Sequence, residues 1–126
     1  MEHQEKINLN KAIDIFKARE FELEMTRPKK KFKELQNSKK KTIYLISEKF
    51  KDSNIKMYVH PNIEKSKILL LDGVKKISEK WRFHSNMTAF PKRLNKGKNE
   101  ITYGWQVTCS SLYDLEKFLI SYGKMD

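Results

Sequence analysis

Lys29, Lys30, Lys31 and Lys33, followed by Lys39, Lys40 and Lys41, set seven ammonium groups inside a thirteen-residue window. An ammonium is a compact charge that suits a phosphate oxygen, and each such contact releases counterions from a polyanion. A second group is Arg82, His84, Lys92, Arg93, Lys96 and Lys98, with Ser85, Asn86 and Asn95 between them. Every one of these side chains can donate a hydrogen bond, as a loop lying along a nucleic-acid backbone requires. Rings flank that loop: Trp81, Phe83, Phe90, Tyr103 and Trp105. Bases stack on exposed rings. Tyr103 and Trp105 are the best placed for that, whereas the alternation of Trp81 and Phe83 reads as core.

Residues for covalent or metal chemistry are sparse. The three histidines (His3, His60 and His84) and the one cysteine, Cys109, lack zinc-ligand spacing. No Asp or Glu is followed two residues later by Lys, the pairing common in metal-dependent nucleases. No H-E-x-x-H, glycine-rich phosphate loop or G-x-S-x-G is present. No metal or cofactor is expected. One catalytic route survives: His60 and His84, each at the end of an expected strand, could serve as acid and base in metal-free RNA cleavage. Glu20, Glu22 and Glu24 alternate with apolar residues and read as a solvated face, or as a mask for the lysines.

These residues need elements to hold them. Asn10 reads as the cap of a helix carrying Leu9, Ala12, Ile13 and Phe16 on one face. Phe21, Leu23 and Met25 alternate as in a strand, with a continuing helix as the rival reading because Glu favours helix, and Pro28 ends either. Residues 27–41 read as a basic, flexible connection, because one Arg and seven Lys repel each other. Strands are expected over 42–47 and 55–60 as a hairpin, over 79–84, and over 101–109. A short helix over 63–71 should stop at Gly73, and 85–97 reads as a loop. Ser111-x-x-Asp114 resembles a capping box opening a helix that Gly123 closes. The sum is an α+β domain spanning 1–126, with a small antiparallel sheet of four to five strands and two to three helices packed on one face.

Composition narrows the function. Twenty-seven Lys and Arg against sixteen Asp and Glu give a net charge of +11 in 126 residues. The excess is uneven: 1–25 is acidic, and 26–60 is the most basic segment. A single cysteine cannot form an internal disulfide, and the longest apolar run, Ile68 to Leu71, is four residues. A cytoplasmic protein with no membrane association is therefore expected. The Lys, Asn and Ile content fits an AT-rich genome, as in many bacteria and phages.

The leading expectation is a small non-enzymatic protein that grips nucleic acid, RNA or a ribonucleoprotein ahead of duplex DNA. No expected helix carries an Arg, Asn and Gln face for a major groove. Lys outnumbers Arg twenty-three to four, which favours phosphate contact over base reading. The alternatives are a protein target, as for a mobile-element inhibitor of a nucleic-acid-guided defence enzyme (an anti-CRISPR), and the metal-independent RNase.

Overall fold

The computed structural model describes residues 4–23, 31–48, 50–51, 54–95 and 99–125. Its elements in chain order are α1 (Gln4–Ala18), β1 (Glu22–Leu23), β2 (Phe32–Gln36), β3 (Thr42–Ile46), β4 (Ile55–Val59), α2 (Lys65–Leu69), β5 (Lys76–Ile77), β6 (Arg82–Phe83), β7 (Lys92–Asn95), β8 (Asn99–Cys109) and α3 (Leu112–Lys124). The class is mixed α+β with an antiparallel sheet. The sheet has eight strands among the described residues, more than the four to five expected.

The extra strands come from segments whose cations hide their pattern. Phe32 and Leu35 are buried within the lysine-rich run, so the supposed connection is a sheet strand from Phe32 to Gln36. β2 pairs with β3 along its whole length, from Phe32 opposite Ile46 to Gln36 opposite Thr42. The turn between them is built by Asn37, whose Oδ1 accepts from the N–H groups of Lys39 (3.0 Å) and Lys41 (2.9 Å). Likewise the basic loop contains β7, which folds back on β8 with Lys92 opposite Thr102 and Asn95 opposite Asn99. Neither strand alternates cleanly between apolar and polar residues, which is why periodicity misses them.

β8 organises the rest. Adjacent strand residues send their backbone groups to opposite edges. Thr102 O accepts from His84 N (3.0 Å), whereas Tyr103 N donates to Pro91 O (3.1 Å). Gln106 O and Thr108 O accept from Ser78 N and Lys75 N, both at 2.8 Å. So β5 and β6 run in succession along one edge of β8, and β4 and β7 along the other. Gly104 lies at the changeover. A Cβ there would stand 2.5 Å from Val59 O and 2.9 Å from Phe90 Cε2, so only glycine admits both neighbours.

Side chains from the two faces of the sheet enter separate apolar clusters. The larger joins Ala12 and Phe16 of α1, Ile68 of α2, and Leu115, Phe118, Leu119 and Tyr122 of α3 to Ile43, Leu45, Met57, Val59 and Val107 of the strands. The α3 residues recur at the helical period, and Ser111 Oγ accepts from Asp114 N at 3.1 Å to open that helix. The smaller cluster is Phe32, Tyr44, Met87 and Phe90 with Tyr58 beside them. Tyr44 stands edge-on to Phe32 (5.2 Å) and Phe90 (5.0 Å), and its Oη accepts from Ala89 N (3.0 Å), fixing the loop over the sheet.

Two helix limits differ from expectation. α1 begins at Gln4, so Asn10 is a mid-helix residue and not a cap. Gly123 sits inside α3, which ends where the Met125 N–H reaches back to Tyr122 O. Gly73 does follow α2, with φ +82. No helix is long and apolar enough to cross a membrane among the described residues.

Candidate nucleic-acid interface

The described members of the lysine run do not form one patch. Lys29, Lys30, Lys96 and Lys98 lie outside the described residues. Lys31 and Lys33 stand at one end of β2, and Lys39, Lys40 and Lys41 at the hairpin turn beyond the other. Five strand residues at about 3.3 Å each put roughly 16 Å between the two ends. Lys31 is exposed, but its carbonyl accepts from Ser47 N (3.0 Å) and Glu48 N (3.1 Å), so its backbone is fixed. Lys33 is half-buried opposite Leu45.

Lys39 and Lys40 are exposed; Lys40 adopts φ 65, a left-handed turn conformation. Lys41 has a different role. Its Nζ donates to Tyr122 O (2.6 Å) and to Met125 O and lies 5.1 Å from the Tyr122 ring centre. A cation there satisfies carbonyls left open at the end of α3 and opposes the negative end of the helix dipole. Lys41 is thus a structural tie between the hairpin turn and α3.

The second group separates onto two surfaces. Arg93 and Tyr103 lie with Trp81: the Arg93 guanidinium carbon is 4.0 Å from the Trp81 ring centre and 5.7 Å from that of Tyr103. Trp81 in turn stands 5.2 Å from Tyr103 and 5.7 Å from Trp105, and Tyr103 stands 5.8 Å from Phe83. All four rings are half-buried, so Trp81 and Phe83 are not the core residues that their alternation implied. Trp105 is anchored by its Nε1, which donates to Ile63 O at 3.1 Å, and Lys65 Nζ stands 5.9 Å from its ring centre. Trp81 Nε1 is buried without a hydrogen-bond partner among the described residues. The result is a row of four rings carrying two cations, each ring presenting part of its surface to solvent.

Arg82 and Lys92 sit on the opposite face. Arg82 pairs with Gly104 and Lys92 with Thr102, both on the alternate positions of β8. Arg82 is close enough to Tyr58 to pull that phenol's pKa down, although burial dominates and raises it.

The two histidines pack on different rings of the smaller cluster, His84 on Phe32 (4.9 Å) and His60 on Phe90 (5.3 Å). Each Nδ1 accepts from the N–H two residues later, at Asn86 (3.2 Å) and Asn62 (3.1 Å). Desolvation lowers both pKa values, and the charge of Lys31 lowers that of His84 further. Both environments therefore favour the neutral imidazole, with Nδ1 engaged as an acceptor by the local backbone.

Sequence reasoning missed the basic residues of the open face. Lys56, Lys76 and Lys80 join Arg82 along one groove. Lys56 alternates with buried Ile55, Met57 and Val59, a visible sign that it points away from the core. Its neighbours across the sheet become known only from the strand register. Among the described residues no group of His, Cys, Asp and Glu could hold a metal ion. No family model, curated protein or solved structure matches this chain.

Proposed function

We propose that this is a nucleic-acid-binding protein whose preferred ligand is single-stranded RNA, free or within a ribonucleoprotein. The observation that carries the reading is the ring row Phe83, Tyr103, Trp81 and Trp105, partly exposed and bordered by Arg93 and Lys65. Partly exposed rings beside cations are what unpaired bases and their phosphates require together. Duplexes hide their base faces, so a ring row of this kind favours single strands. The net charge of +11 supports a polyanionic ligand. Lys39 and Lys40 on the β2–β3 turn are additional phosphate contacts within this reading.

The test is fluorescence anisotropy of a labelled single-stranded RNA against a labelled DNA duplex, each at two salt concentrations. Single strands are expected to bind more tightly than duplex, with quenching of tryptophan emission. The affinity should fall steeply with salt, by about 0.7 log units per released phosphate contact for each tenfold in salt. Absence of binding at low salt, or equal quenching by duplex, overturns the reading.

A further inference from the structure

We infer that the open face of the sheet around Gln106 and Thr108 is a second contact surface, a track for the sugar–phosphate backbone. It rests on the nucleic-acid reading above but involves none of the rings that carry it.

The face is built by register. Lys56 of β4 pairs with Thr108, and Thr108 pairs on its other side with Lys76 of β5. Directly paired residues share a face, so a Lys–Thr–Lys row crosses three strands. At about 4.8 Å per strand its two lysine stems start about 10 Å apart. The next row places Tyr58 opposite Gln106, and Ser78 N–H bonds to the Gln106 carbonyl. Beyond it Arg82 pairs with Gly104. Lys80, Ser78 and Gln106 complete the groove.

The charge is not internally balanced. Like charges across a sheet repel, and a carboxylate opposite either lysine would remove the repulsion. Threonine stands there instead. Lys56, Lys76, Lys80 and Arg82 make no ion pair among the described residues, and Glu79 is the one carboxylate lining the groove among them. Four cations therefore face one anion.

The lining also selects the class of occupant. Its uncharged groups with exposed surface are the hydroxyl of Ser78 and the amide of Gln106, both half-buried; Thr108 and the one apolar member, Ile77, are 2% and 8% exposed and offer an occupant little surface. A protein partner would need an exposed apolar or aromatic anchor at the centre of the contact. Phosphate and ribose need donors and cations without an anchor, and that is the chemistry present.

The test uses the full chain and a labelled single-stranded oligouridine, titrated by anisotropy across a salt series. The variants are a triple Lys56→Glu, Lys76→Glu and Lys80→Glu, and a triple with glutamine at the same positions, which removes the charge but keeps polar side chains. The control is Lys11→Glu, Lys17→Glu and Lys117→Glu, which matches the charge change of the glutamate triple on α1 and α3. Circular dichroism verifies that each is folded. The open-face triples should lose at least tenfold in affinity, and the salt slope should fall by about 2, for three contacts at about 0.7 each. The control should keep the wild-type slope.

Open-face variants that match the control overturn the inference while leaving the nucleic-acid reading intact. Failure of wild type to bind oligouridine overturns both. Unchanged RNA affinity with loss of binding to polyglutamate assigns the face to an acidic protein partner, and again overturns it.

Discussion

The guanidinium of Arg93 lies over the Trp81 ring at 4.0 Å, and the same group reaches Tyr103 at 5.7 Å. The contact ties β7, a strand with little apolar content, to the segment before β6 across the width of β8. It also holds a cation against the partly exposed surface offered to a base. Removing each partner separates the two roles. Arg93→Ala should cost about 0.5–1 kcal/mol of stability, the size of an exposed cation–π pair, and should shift the tryptophan emission. Trp81→Ala should weaken single-stranded RNA binding by about 1–3 kcal/mol if one base stacks there, or roughly 5- to 150-fold. Wild-type affinity in Trp81→Ala would remove stacking from the account and leave charge alone. Trp81→Phe should retain stability within about 1 kcal/mol, because the lost area is offset by removing a buried N–H that has no partner.

Lys41 and Lys39 stand two positions apart on one turn but should respond differently to the same substitution. Lys41→Met removes a cation from Tyr122 O and Met125 O, so urea denaturation should show a loss of about 1.5–3 kcal/mol. Lys39 is exposed, and Lys39→Met should change stability by under about 0.5 kcal/mol. Equal, small losses would show that Lys41 is as dispensable to the fold as its neighbour.

The chain announces some of this architecture and conceals the rest for identifiable reasons. β3, β4 and α3 are legible because β-branched or apolar residues recur at the right period, and because Ser111 sits three residues before Asp114. β2 is concealed because Phe32, Glu34 and Leu35, all buried, are interleaved with lysines whose charge dominates the reading. β7 is concealed because Lys92, Arg93 and Leu94 are all exposed, so its pairing with β8 rests on backbone bonds that no side chain advertises. The ring row was half legible. The residues were visible as neighbours of a basic loop, but the exposure of Trp81 depends on the helix-side core reaching along β8 only as far as Trp105. The outward direction of Lys56 was legible from its alternation with Ile55, Met57 and Val59, but the grouping of the open-face lysines was not, since Lys56 and Lys76 meet across Thr108 only through strand register.

Three glycines make opposite predictions for one substitution. Gly73→Ala combines a left-handed φ of +82 with a Cβ 2.1 Å from the backbone oxygen of Asp114, so it should be the most damaging. Gly104→Ala forces the new methyl against Val59 O and the Phe90 ring, and should cost about 1–3 kcal/mol as an overpacked site. Gly123→Ala meets nothing within 4 Å and should stabilise by about 0.5–1 kcal/mol, the helix-propensity difference. Chemical denaturation of the three variants checks the order. A stable Gly104→Ala would mean that Phe90 is not packed against β8 as described.

The histidines give the pH dependence a definite sign. His60 and His84 are held neutral by desolvation, and each uses Nδ1 to accept from the backbone two residues on. Protonation in the folded state would place a proton on that acceptor and a charge against Phe90 or Phe32. The unfolded chain has no such penalty and binds the proton near the ordinary value of about 6.5. Between the lowered folded pKa and 6.5 the unfolded state therefore holds more protons, and stability rises with pH across that window. Above it the contribution is complete; it is lost as pH falls through the folded values. The contribution of these two imidazoles to the melting temperature should be level above about pH 7 and should decline as pH falls below about 6.5. His60→Asn with His84→Asn keeps an acceptor at each position without a titrating ring, and should flatten the part of the decline that these two imidazoles cause. An unchanged slope in that double variant would place the acid sensitivity elsewhere, and would mean that the imidazoles can charge without disturbing the rings they lie on.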